Sequence, residues 1–189
     1  ESDFNFLTRL MEQEGMHFFF RHQNGKHTLV IADSLRAHVA ADHYGEVRFR
    51  EPETTHARAD EGIREWSHGA EIQPTRFIQR DFNFEKPRAD MQADAGPARP
   101  LKHQHQAAFD IFDYPGEYEE RGEGQRIAAV RIEEMRHQFD HFNGEGNAAG
   151  LATGGLFKLL EHPRDDQNQE YLIVEADYRV EESPLESEL

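Results

Sequence analysis

Cysteine is absent from the 189 residues, which removes disulfide staples, thiolate zinc sites and cysteine nucleophiles together. Basic residues are scarce: 21 Lys plus Arg face 37 Asp plus Glu, a formal charge of −16 at neutral pH. A nucleic-acid reader needs a basic footprint to meet phosphates, so this balance argues against one. It argues equally against adsorption to anionic lipid. No apolar run approaches the ~20 residues of a membrane span, so no stable membrane anchor is expected, and no signal peptide opens the chain. Hydrophobic residues reach only 37%, and tryptophan occurs once. Phenylalanine is plentiful instead. With 14 Phe and 5 Tyr, the chain is too aromatic for a disordered acidic tail and has the makings of a core. One large domain or two small ones is the expectation at this length. The first residue is Glu1 rather than Met, which reads as a piece of a longer protein.

Local patterns divide the chain. Ser2 or Asp3 caps a helix over 2–14 whose stripe is Phe4, Leu7, Leu10 and Met11, and Gly15 stops it. A hairpin follows, with Asn24-Gly25 as a type I′ turn between strands at 16–21 and 28–32. Val47 to Phe49 reads as a strand, 61–66 as one helical turn, and 75–84 as a long strand ended by Lys86-Pro87. Residues 88–106, with Gly96, Pro97 and Pro100 and few large apolar side chains, read as a linker between units at 1–87 and 107–189. In the second unit, 107–112 reads as a strand, and Tyr114 to Tyr118 makes a turn. A helix over 126–142 shows Ala128, Ile132, Met135, Phe139 and Phe142 on one face. Gly144 to Asn147 turns the chain, strands follow at 156–160 and 171–180, and an acidic tail closes it. The fold class expected is β-rich α+β, with no βαβ series.

Chemistry has few handholds. His137 and His141 stand at i, i+4 on the expected helix, the spacing that offers two imidazoles to one metal. The glutamate of a hydrolytic H-E-x-x-H run is missing there, and His103/His105 fall in the expected linker. A solvated helix face is the simpler reading, so no metal or other cofactor is expected. Adjacent carboxylates such as Glu133/Glu134 are ordinary in so acidic a chain. No Gly-x-Ser-x-Gly elbow and no phosphate loop is present, so no catalytic residue is assigned and no enzyme is expected. Phe18-Phe19-Phe20 places apolar rings on both faces of a hairpin strand, one for the local core and one for a second layer or subunit.

Several blocks taken together resemble the VgrG family, the spike (tip) proteins of type VI secretion systems. They are Asp3 to Met16 with Phe18-Phe19-Phe20, Gly25 to Ser34, Arg80 to Pro87, Tyr114 to Tyr118, Gly144 to Asn147 with Gly150-Leu151, and His162-Pro163 on through Glu170 to Val174, in the family's order. The resemblance implies the family's N-terminal module, similar to the hub of contractile phage tails: antiparallel β-barrels with inserted helices. It further implies a homotrimer in the full-length protein that adapts the six-fold tail tube to a three-fold spike. Tail tube protein and baseplate components are the implied partners, with secreted effectors carried through C-terminal regions. Assembly in the bacterial cytoplasm and then export to the extracellular space or a target cell would follow. Read this way the chain is an internal fragment, lacking strands before Glu1 and a β-helix after Val180. Two alternatives stay open: a prophage contractile-tail baseplate hub, and a histidine-metal hydrolase.

Charge sets an expectation for assembly. Three copies would carry 3 × −16 = −48 formal charges, and their repulsion is screened by salt over a Debye length of ~8 Å at physiological strength. Self-association of this chain should therefore strengthen from low to high salt in sedimentation equilibrium. A monomer at every salt concentration would show that charge is not what holds the copies apart.

Overall fold

A computed structural model describes residues 1–40, 42–51, 60–96 and 109–180. His103/His105, the 97–106 part of the expected linker and the acidic tail lie outside the described residues. The elements are α1 (Asp3–Gln13), β1 (His17–Gln23), β2 (Lys26–Ala32), β3 (Val39–Ala40), β4 (Glu46–Arg48), β5 (Ile63–Ala70), β6 (Arg76–Arg80), β7 (Gln92–Ala95) and β8 (Asp110–Asp113). They continue with α2 (Arg121–Arg136), β9 (Asp140–Gly146), β10 (Gly155–Leu160) and β11 (Glu170–Leu172). The β-rich α+β class stands.

The strands form small sheets: β1–β2, β5–β9, β7–β6–β8, and β11–β10–β3 with β4 also on β10. The pairing is mixed. β10 runs parallel to β3 and β4 and antiparallel to β11, and β6 runs parallel to β8 and antiparallel to β7. A purely antiparallel arrangement is thus corrected, and no sheet closes into a barrel among the described residues.

Two compact units emerge, each from separated stretches: Glu1–Phe18, Ile31–Ser34 and Trp66–Gly144 in the first, Phe19–Val30, Leu35–Glu65 and Glu145–Leu189 in the second. This division differs from units at 1–87 and 107–189. The expected linker fails on its described part, because β7 lies within it and buries Met91 and Ala93. Ala93 has no room for a larger side chain, so the small residues that look like linker composition are packing residues.

In the first unit α2 packs on the sheet through Ala128, Ile132 and Met135, which meet Phe77 and Ala95. That is the predicted stripe, cut short. The helix begins at Arg121 rather than 126 and ends at Arg136, and Phe139 and Phe142 lie beyond it. Its early start is unexpected because Gly122 and Gly124 are poor helix formers, costing about 1 kcal/mol each against Ala. The ring of Tyr118 explains Gly124: a Cβ there would enter it, as would one at Gly116. The Tyr118 hydroxyl donates to the carbonyls of Met91 and Gln79, and its amide donates to Asp81 Oδ2. Buried Gln79 is satisfied in turn, its Nε2 donating to the Gly124 carbonyl at 2.5 Å.

Other boundaries moved for local reasons. Ser2 does cap α1, accepting from the Asn5 amide, and Gly15 follows with φ of 73°. Phe4, Leu7 and Leu10 of the α1 stripe are nevertheless exposed and Met11 is only half-buried. At the hairpin turn only Gly25 has positive φ, which fits a type II rather than a type I′ turn. Residues 61–66 are not helical. Strand β5 begins at buried Ile63, held by a reciprocal pair in which the Gly62 amide donates to Asn147 Oδ1 and the Asn147 amide to the Gly62 carbonyl. That same pairing extends β9 through Gly146, where a turn was expected. Strand β6 stops at Arg80 because Asp81 and Asn83 take the following amides with their side chains. Strand β11 is likewise shorter than expected, ending at Leu172.

In the second unit β10 supplies Phe157 and Leu159 to a core with Val47, Ile63 and Tyr171. Phe19 is buried against His38, ring centres 4.7 Å apart, and His38 Nδ1 lies 2.9 Å from the Gly154 carbonyl.

Ile132 is 1% exposed, whereas Phe4 is 63% exposed. Ile132→Ala should therefore cost on the order of 2–5 kcal/mol of stability, and Phe4→Ala well under half of that. Urea denaturation of both variants checks this; equal losses would mean the core of the first unit is misplaced.

Candidate interaction surface

The sequence offered His137 and His141 as metal ligands, and the structure takes that pair apart. His137 ends α2, its Nδ1 turned to the Glu134 carbonyl, while His141 sits on β9 with its ring against Gly69. Four residues of strand are not one turn of helix. Among the described residues no three His, Asp or Glu side chains gather as a metal site.

One concave feature lies in the second unit, an open cleft of about 450 Å³ lined by His43, Tyr44, Glu46, Arg48, Arg50 and Glu61, among others. Part of its charge is matched. Tyr44 donates to Glu61 at 2.7 Å, and that hydrogen bond raises the phenol's pKa. Arg48 and Arg50 reach Glu161 at 3.3 and 2.8 Å. An open groove offers little of the burial that acid–base work calls for. The strongly buried phenols, Tyr118 and Tyr171, have raised pKa values through desolvation, and each donates its hydroxyl to backbone carbonyls. They are structural.

Apolar exposure is the stronger feature. In the first unit β8 forms the edge of its sheet among the described residues, and all four of its residues are exposed, including Ile111 and Phe112. Ile111 and Phe112 face opposite sides of the strand, and Phe109 and Tyr114, which flank it in sequence, are exposed too. The strand is held on its inner side by β6, and its Asp110 pairs with Arg76 of β6 at 2.5 Å, an ion pair that raises the arginine's pKa. Phe82 and Phe84, read from the sequence as strand residues, project from the loop after β6, Phe84 at 82% exposure. Phe4 of α1 meets Phe18 edge-on at 6.0 Å, yet Leu7 and Phe4 itself stay largely open to solvent. In the second unit Phe20 and Leu29 of the hairpin are exposed on the face opposite buried Phe19. Single exposed apolar residues are ordinary; several of them on a strand that edges its sheet among the described residues make β8 a candidate assembly surface. The sequence signalled Phe18-Phe19-Phe20 in this role but not β8, whose short Asp-Ile-Phe-Asp run carries no periodicity to separate an edge from a core strand.

Residues 1–184 match the family described as phage tail baseplate hub (GPD). The chain is 39% identical over 181 residues to the type VI secretion system spike protein VgrG1a of Pseudomonas aeruginosa, covering 95% of this chain and 27% of that protein. It is 38% identical to VgrG1b of the same organism, covering 95% of this chain and 24% of the relative, and 38% identical to VgrG1c with the same coverage. The chain thus spans about a quarter of the length of these curated relatives.

If the β8 edge drives association, Phe112→Lys should lower the apparent mass by light scattering at high salt without changing the far-ultraviolet circular dichroism. An unchanged mass would remove β8 from the contact.

Proposed function

The chain belongs to the phage tail baseplate hub family, and from that premise we propose that it is the hub portion of a type VI secretion spike, a structural part rather than an enzyme. The observation that carries this reading is the 39% identity to a type VI spike protein along 95% of the chain. The physical features support it. Two units with small mixed sheets and exposed apolar residues on a strand at a sheet edge suit an assembling scaffold. In the full-length protein the chain would form a homotrimer, adapting the tail tube to the tip. Tail tube protein and baseplate components would be its neighbours, and effectors would ride on regions beyond this chain. It would assemble in the cytoplasm and leave with the spike; no described helix is long and apolar enough to cross a membrane. A prophage baseplate hub is the second reading, favoured by the family's phage description.

The test uses the full parent protein. It should run as a trimer by light scattering, copurify with the tube protein, and be required for release of that protein into the medium. A monomeric parent with no effect on release would overturn the secretion reading, and its recovery in sedimented phage tails would establish the phage one.

A further inference from the structure

The β1–β2 hairpin brings together two histidines that sequence spacing did not single out. His22 and His27 each stand one residue in from the strand ends that flank Asn24-Gly25. Their ring centres lie 6.2 Å apart with planes at 40°, and both rings are exposed. Phe20, two residues before His22 and so on the same strand face, has its ring 6.2 Å from each. Arg21 is directed to the opposite face, where it donates to the Ala37 carbonyl and lies over the Phe19 ring at 5.5 Å. Alternation sends Lys26 to that opposite face as well. No cationic side chain of the hairpin therefore crowds the pair.

Other histidines spend their nitrogens inside the protein. His38 meets the Gly154 carbonyl, His68 meets Asp140 at 2.8 Å, His137 meets the Glu134 carbonyl, and His162 accepts from the Arg164 amide. Among the described residues neither His22 nor His27 has such a hydrogen bond, so all four of their ring nitrogens remain available. We propose that His22 and His27 form a two-imidazole clamp for a borderline divalent transition metal of the zinc, nickel and copper class, with water in the remaining positions.

Imidazole nitrogen is the donor these ions favour over carboxylate or carbonyl oxygen. Metal–nitrogen bonds of about 2.1 Å at a tetrahedral angle set two donor nitrogens about 3.4 Å apart. Rings whose centres are 6.2 Å apart reach that spacing by side-chain rotation alone, because both are exposed and the paired strands hold the backbone fixed. The hairpin thus meets much of the ordering cost before the ion arrives. Phe20 shields one side of the clamp and leaves the other open to solvent.

Titration of the 189-residue chain with zinc chloride by calorimetry tests the proposal. The expected result is a leading one-to-one event that His22→Asn and His27→Asn each weaken by at least about tenfold. His137→Asn and His141→Asn should leave it intact. A parent-like event in either hairpin variant, no event in the parent, or its loss on replacing His137 or His141, overturns the assignment. A second measurement does not depend on variants: substoichiometric copper should broaden the ring resonances of His22 and His27 before those of any other histidine. Broadening elsewhere first overturns the site.

Discussion

The ring of Tyr118 is the piece around which the first unit is assembled. It occupies space that Cβ atoms at Gly116 and Gly124 would need, so it fixes the approach of the preceding loop and of the first turn of α2. Its hydroxyl joins the end of β6 to the residue before β7 through the Gln79 and Met91 carbonyls. Gln79 then closes the circuit by donating to Gly124. Each partner in this ring of contacts is buried and satisfied only while the others stay in place, which is the condition under which a polar network stabilises a core. The cost of glycine in a helix is offset here by the contact that only glycine permits.

How far the sequence could be read depended on whether a signal was local. Ser2, Gly15 and Gly25 act within a few residues, and the structure places a cap, a stop and a turn at them. The repeat Ala128, Ile132 and Met135 spans only two turns and is found on the buried face. The failures share a cause. Gly122 and Gly124 look like a helix break because their partner, Tyr118, is not visible from propensity. Met91 and Ala93 look like linker because smallness reads the same whether it reflects exposure or tight packing. Phe139 and Phe142 continue the helical stripe by coincidence of spacing, while the chain leaves the helix at Arg136 and pairs with β5. The histidine pair followed that error. His22 and His27 are five apart in sequence, and only a hairpin register brings them together.

Charge and apolar exposure act in opposite directions on this molecule. A formal charge of −16 would oppose the approach of another copy, while exposed Ile111 and Phe112 would favour contact at short range. Such a balance favours contact where an edge meets a matching edge and disfavours indiscriminate clustering.

The interleaving of the two units bears on how the chain is made. Both contain an early stretch, and the first unit also requires every residue to Gly144 before its sheet, helix and β9 are all present. The second needs β10 and β11, later still, to cover Val47 and Ile63. Phe19 of the hairpin is made well before Gly154, against which its ring packs, so this part of the second unit is complete only when contacts of long sequence separation have closed, the kind of topology that folds slowly.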